Sequence, residues 1–451
     1  MAQIDLINPR HNCAPKFDGK EYTGQIYMPT ALLTVAAKLI DASVDVNIYD
    51  ENIRPAKIGS DIVGIGLTGA PYIPVARNII ERINRTNPET KYLIGGTVVD
   101  GLTSEQFSRL FGKKAYAGSD KNVREIVSIE ETLTADRQIS LIPAYEKLTD
   151  TVMKEYLSRE FSLYVSQGCR FNCTFCAAAK NKPEQYRDLD IITKDLGYLT
   201  KKAARYGLKE LNMYMSNLDV FQTPDVLKEF AKKVIEVKKE NPKIDIKLRG
   251  LSTVEMYLKA RKDRELIGLL KKAGFHTVGF GVDGATAEVH KKTRKPIGNE
   301  QDCIDAIILA HSDGFTPEAL MVFGHENVDN EDSLRAAYDF AKEMQDKYGA
   351  IPRPHVSKAF VPGNEGWKKG YEPQIESIMT NPELFQCLDF TALPTELTHP
   401  DRIQRQLATK YYLKMCQLEK NTTQPLLPIK LGMTRTQIEK VNKSNEGKFD
   451  R

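Results

Sequence analysis

Histidine is scarce in this chain: it has seven, and none lies between His11 and His276. Any metal centre built in that interval must do without imidazole. No apolar run is long enough to cross a bilayer, so no membrane span is expected. Neither sign of charge dominates; 64 basic residues against 60 acidic ones give a net charge of +4, which makes no case for nucleic acid. Lysines such as Lys228, Lys232, Lys233, Lys238 and Lys239 read as the solvated face of a helix. Met1 to Asp5 enters a strand without a basic or apolar leader, from which a cytoplasmic location is expected. Cysteine is sparse too. Cys13, Cys303, Cys387 and Cys416 stand singly, so no disulfide framework is expected.

The remaining three cysteines are concentrated in Ser166-Gln167-Gly168-Cys169-Arg170-Phe171-Asn172-Cys173-Thr174-Phe175-Cys176, spaced C-x3-C-x2-C after a strand-like run at Phe161 to Val165. Thiolates this close together suit an iron–sulfur cluster, whose usual complement is four. With Cys303 the next in sequence, one iron is left open to an outside ligand. Two alternatives stay open. A zinc site wants four nitrogen or sulfur ligands, and a redox pair at Cys173 and Cys176 leaves Cys169 unexplained.

Around this motif the chain alternates strands and helices. Residues 1–125 give strands at Gln3 to Ile7, Val44 to Tyr49, Asp61 to Leu67, Lys91 to Ile94 and Ala115 to Ala117, with helices at Pro29 to Ala42, Ile73 to Asn87 and Ser104 to Phe111. That pattern predicts a doubly wound, Rossmann-like parallel domain with ligands at the strand carboxyl ends. Gly64-x-Gly66-x-x-Gly69 mimics a dinucleotide fingerprint, but it lies mid-domain and lacks the acidic residue a nicotinamide cofactor needs. Residues 126–155, with Pro143 and several charges, read as a linker. Residues 156–375 give six βα-type units, predicting a partial (β/α)6 barrel. Residues 376–451 read as a helical extension, with a helix at Asp401 to Glu419 and a polar, partly mobile tail from Gly432.

The cysteine spacing, with Phe175 before the last thiol, resembles the signature of the radical S-adenosylmethionine (AdoMet) superfamily. The resemblance implies that Cys169, Cys173 and Cys176 hold a [4Fe–4S] cluster, that AdoMet chelates the open iron, and that Phe175 packs near the adenine. Reductive cleavage of AdoMet would then give a radical that abstracts a substrate hydrogen. Ser216 and Asn217 occupy the place where relatives commonly carry acidic residues for the AdoMet amino group. Arg249, read as the end of its strand, matches the usual arginine for the AdoMet carboxylate, and Asp283 matches the acidic residue facing the ribose or amino group. Lys295-Pro296 stands where Lys-Gly is commoner, and Gly324-His325-Glu326 where Gly-Pro-Gly-Glu is usual, with His325 and Glu326 as proton-transfer candidates. Phe360-Val361-Pro362-Gly363-Asn364 resembles the turn after the last barrel strand. Tyr186, Tyr214 and His355 are further pocket candidates.

The first 125 residues are similar to the cobalamin-binding domain that precedes many such barrels, which implies cobalamin contacts at Thr68, Gly69, Gly95, Gly96, Thr97 and Gly118. The Asp-x-His-x-x-Gly sequence that replaces the lower cobalt ligand is missing, and His11 is the domain's one histidine, so cobalamin without a protein histidine ligand is implied. Such enzymes most often methylate unactivated carbon or phosphorus centres; here the carbon of a small metabolite or peptide is expected, with electrons from a flavodoxin or ferredoxin. Ring closure, rearrangement or epimerisation without methyl transfer stays open, as does a non-catalytic iron–sulfur sensor. A methylthiotransferase would usually carry three further cluster cysteines in its first domain, where this chain has Cys13.

Overall fold

The computed structural model describes residues 2–10, 26–130, 132–178, 182–284, 286–297 and 300–420. His11, Cys13 and the expected tail from Gly432 lie outside the described residues.

The first sheet is parallel, with strands β1 (Gln3–Asn8), β2 (Asp45–Asp50), β3 (Ile62–Gly66), β4 (Lys91–Gly95) and β5 (Ala115–Ala117) in the order β2-β1-β3-β4-β5. Its central strands β3 and β4 are apolar on both faces because both are covered. Leu6 and Leu93 meet helix Thr30–Asp41 on one side, while Ile7, Val63, Ile65 and Ile94 meet helix Ile73–Asn84 on the other. The direction in which successive strands are laid down reverses between β1 and β3, and a ligand crevice opens at such a switch point.

The expected linker is a correction: it contains helices Ile142–Lys147 and Asp150–Leu157. Pro143 starts the first of these rather than breaking it, since a first-turn residue has no intrahelical N–H bond to lose. Tyr145, Val152, Met153 and Tyr156 are buried, and the Tyr156 hydroxyl donates to Asp50 Oδ2 at 2.5 Å, tying these helices to the first sheet.

The second sheet begins with β6 (Glu160–Tyr164). An antiparallel hairpin of β7 (Ser166–Cys169) and β8 (Lys182–Tyr186), not anticipated from sequence, brackets the cysteine loop. The sheet resumes with β9 (Glu210–Ser216), β10 (Asp245–Ser252), β11 (Phe275–Gly281), β12 (Thr316–Phe323) and β13 (Ile351–Val356). All six strands of the order β6-β9-β10-β11-β12-β13 run parallel, forming an open barrel wall. Leu211, Met213 and Met215 of β9 are buried in the apolar core, whereas Tyr214 and Ser216 between them are half-buried on the barrel's inner face.

The chain after β13 divides in two. Phe360 and Trp367, with Ile378 and Phe385 of the extension, join the apolar core on the far face of the first sheet. Helix Arg402–Lys420 packs on β13 through Tyr411, Tyr412 and Met415 and so acts as a wall helix of the barrel.

Candidate functional site

The three sequence-predicted thiols lie on one loop at the carboxyl end of the barrel strands. Gly168, at φ 100°, and a register shift beside it turn the chain out of β7 at Cys169. The loop is held from two sides by its backbone: Thr174 N–H donates to Thr293 O at 3.0 Å, and Thr174 O accepts from Glu365 N–H at 3.4 Å. Arg170 adds a side-chain anchor, its Nη2 donating to Gln222 O at 3.1 Å. Cys169, Cys173 and Cys176 are half-buried free thiols. Burial pushes Cys173 up to about 11 and raises Cys169 as well, so binding a metal here would release protons.

Among the described residues, no three Cys, His, Asp or Glu side chains converge on a point where one metal ion would sit. Three half-buried thiols on a backbone-anchored loop offer a ligand set for a multi-iron cluster. Cys303 is no fourth member of the loop, since it is fully buried in helix Glu300–Ser312.

Of the predicted residues, His325 meets the cysteine loop at Phe175. The Phe175 ring lies 5.3 Å from that of His325. His325 is itself held in place, with its ring against Val322 O at 3.1 Å and its backbone N–H donating to Asp329 Oδ2 at 2.8 Å. Asp283 follows β11; one carboxylate oxygen accepts from Val322 N–H at 3.0 Å and the other pairs with Lys295. Ser216 ends β9 on the inner face. Glu326 accepts from the Tyr371 hydroxyl at 2.7 Å, and burial raises its carboxyl. His355, on β13, has Nδ1 3.1 Å from Arg353 O.

Asn217 leads to a residue that sequence reasoning missed. Its Nδ2 donates to Glu184 Oε1 at 3.4 Å. Glu184 also accepts from Ser166 Oγ at 2.6 Å and Thr223 Oγ1 at 2.8 Å, and burial raises its carboxyl. Asn217 Oδ1, the Tyr186 hydroxyl and Gln222 Nε2 are buried around it without partners among the described residues. Polar atoms left in this state favour a polar ligand or water. An acidic group thus stands next to Asn217, but it comes from the hairpin rather than from the strand end.

Arg249 is a correction of place and partner. β10 runs on to Ser252, so Arg249 lies within the strand. Its Nε donates to Glu318 Oε2 at 2.7 Å, its Nη1 to Glu160 Oε1 at 3.3 Å, and its guanidinium lies 5.2 Å from the Tyr214 ring centroid. Arg353 donates to the other oxygen of Glu318 at 2.7 Å and to Glu419 at 2.9 Å. These side chains form a charged floor to the barrel, and Arg249 is committed to it instead of standing free for an outside carboxylate.

In the first domain, Thr68, Gly96, Thr97 and Gly118 are exposed and Gly69 and Gly95 half-buried, all at the carboxyl ends of β3, β4 and β5. Gly96 has φ 124°, and a Cβ on it would overlap the Leu67 carbonyl. A Cβ on Gly118 would stand 3.1 Å from Gly95 Cα. These glycines draw the strand ends together, leaving a shelf there whose side chains are small, Thr68 and Thr97. A flat ligand as large as a corrin fits such a surface.

Residues 163–337, from β6 through the helix after β12, match the family model of the radical SAM superfamily. The chain carries a radical SAM domain. Among solved structures, it is similar to the radical S-adenosylmethionine methyltransferase TsrM from Kitasatospora setae, solved with cobalamin and a [4Fe–4S] cluster bound. The TM-score is 0.60 at 15% identity, over 84% of this chain and 76% of that one. It is also similar to the cobalamin-dependent S-adenosylmethionine radical enzyme OxsB, solved with aqua-cobalamin and S-adenosylmethionine bound, at TM-score 0.56 and 13% identity. That match spans 93% of this chain and 61% of OxsB. At these identities the likeness is one of fold. No curated protein matches the sequence.

The radical SAM domain and the shelf meet at one point. A Cβ on Gly101, five residues beyond Gly96, would overlap the backbone of Pro362 and Gly363. Gly363, at φ 96°, in turn presses on the cluster loop, where a Cβ would stand 3.3 Å from Ala177 O. The turn after the last barrel strand is thus a wedge between the first domain and the residue following Cys176. Trp367 Nε1, donating to Gln106 Oε1 at 3.3 Å, and Arg109, bidentate on Glu376 at 2.7 and 2.9 Å, hold the same contact. Among the described residues no helix is long and apolar enough to cross a membrane.

Proposed function

We propose that this chain is a cobalamin-dependent radical SAM enzyme that methylates an unactivated carbon of a small metabolite or peptide. The observation that carries the reading is the Pro362–Gly363 wedge, with the cysteine loop on one side and the first-domain loop on the other. Methyl transfer to a carbon that must first lose a hydrogen needs both cofactors to reach one substrate atom. When bound, a [4Fe–4S] cluster with AdoMet supplies hydrogen abstraction, and cobalamin supplies a transferable methyl group.

The protein's part is binding, orientation and exclusion of water. Cys169, Cys173 and Cys176 would hold the cluster, leaving one iron for AdoMet. Phe175 and His325 offer ring surface beside the loop. Asn217 and Glu184 offer oxygen acceptors to a cationic group. Thr68, Gly69, Gly95, Gly96, Thr97 and Gly118 would line the corrin shelf. His11 and the loop around it lie outside the described residues, and the sequence gives no motif for a histidine beneath the cobalt. The half-buried inner face of Tyr214, Ser216 and His355, above the charged floor, is the proposed substrate wall. A flavodoxin or ferredoxin is the proposed electron source.

The test is anaerobic turnover of AdoMet by the reconstituted, reduced protein, with products separated by chromatography. Formation of both S-adenosylhomocysteine and 5′-deoxyadenosine is expected. Formation of 5′-deoxyadenosine alone, with cobalamin supplied, would reject methyl transfer.

A further inference from the structure

Lys295 is half-buried beside the cysteine loop. Helix Ala287–Thr293 ends at Arg294, whose φ of 56° reverses the chain, and Lys295 N–H donates to His290 O at 2.9 Å. The turn leaves Arg294 exposed, paired with Glu365, and sends Lys295 inward. The lysine side chain is 12% exposed, and its Nζ lies 5.9 Å from the Phe175 ring centroid. Gly281 admits it, since a Cβ there would overlap Nζ. Asp283 pairs with the ammonium and is itself fixed by Val322 N–H, so the charge cannot swing away from the cysteine loop.

We infer that Lys295, held by Asp283 and admitted by Gly281, sets the reduction potential of the cluster carried by Cys169, Cys173 and Cys176. This rests on the reading of those thiols as cluster ligands. Reduction by an external one-electron donor adds a negative charge to the cluster. A fixed ammonium in a poorly solvated site stabilises that charge, and net charge around the sulfurs is one of the levers on such potentials. Asp283 is the counterweight: its carboxylate holds the ammonium in place and offsets part of its effect. Lys295 is therefore a tuning residue and need not touch a reacting atom.

The test is an EPR-monitored titration with dithionite of the anaerobically reconstituted full chain, without AdoMet, so that ligand binding does not enter the potential. Lys295→Met should lower the midpoint by enough to change the reduced-to-oxidised ratio at least tenfold, about 59 mV for one electron. Lys295→Arg, which keeps the charge, should stay close to the wild type, and Asp283→Asn should raise the midpoint. Unchanged midpoints in Lys295→Met and Asp283→Asn, with the cluster signal intact in both, would overturn the inference and leave the cluster reading standing. If Lys295→Met takes up no cluster, Asp283→Asn decides, and an unchanged or lowered midpoint there contradicts the inference. A wild-type protein without a cluster signal would reject the underlying reading itself.

Discussion

Glu318 has no exposed surface, and burial alone would raise its carboxyl. Arg249 and Arg353 reverse that and hold it at about 2. Glu160 shares Arg249 but receives less from it, and burial leaves its carboxyl raised. The two carboxylates of the barrel floor should therefore behave differently. Glu318→Gln removes the charge that Arg249 and Arg353 share, leaving them Glu160 and Glu419 as carboxylate partners, and should cost about 3 kcal/mol at pH 7, whereas Glu160→Gln should cost less. The folded-state value of Glu318 lies below the roughly 4.3 of an unfolded glutamate, so its stabilisation is complete above that pH and fades as pH falls towards about 2. Urea unfolding should accordingly show the gap between wild type and Glu318→Gln narrowing from pH 7 to pH 3. Equal costs for the two variants, or a gap that does not change with pH, would show that the floor is not organised around Glu318.

Among the elements, the loop Gly96–Gly101 and the turn Pro362–Gly363 matter most, because they bring the two halves of the proposed site together. Gly101→Ala places a methyl group inside the backbone of that turn, an overpacking that typically costs 1–3 kcal/mol. The expected result is loss of S-adenosylhomocysteine formation with 5′-deoxyadenosine formation largely kept, measured on the same reconstituted sample. Parallel loss of both products would mean that the wedge supports the cluster loop alone. Some of this was legible in advance. Helix Ser104–Phe111 and strand Ala115–Ala117 follow from local pattern and occur as read. The three thiols declared themselves by spacing. Arg249 was misplaced by a strand that runs two residues past Gly250, a boundary that periodicity fixes poorly. The helices at 142–157 were hidden by Pro143 and by charges on their exposed faces. Glu184 could not be seen at all, because its place depends on β8 folding back across the cysteine loop to pair with β7.

For the whole molecule, the apolar cores do not respect a boundary between the halves. One core runs from Leu33 and Val46 of the first domain through Tyr145 and Tyr156 to Met213 and Phe280 of the barrel. The other joins Val63 and Ile79 to Trp367 and Phe385. Two domains built as beads on a linker would melt separately; two that share cores should melt together. Calorimetry of the cofactor-free chain should show one cooperative transition, and two resolved transitions would contradict a shared core. The same architecture sets the central claim, that a single chain carries a cluster and a corrin on either side of the Pro362–Gly363 wedge. The most direct test is to reconstitute the chain anaerobically with iron, sulfide and hydroxocobalamin, remove unbound material, and measure iron and cobalt per chain. The account predicts about four iron atoms and about one cobalt retained together. Iron without cobalt would leave the first domain as a fold without its cofactor and contradict the cobalamin-dependent reading, and retention of neither metal would contradict the account as a whole.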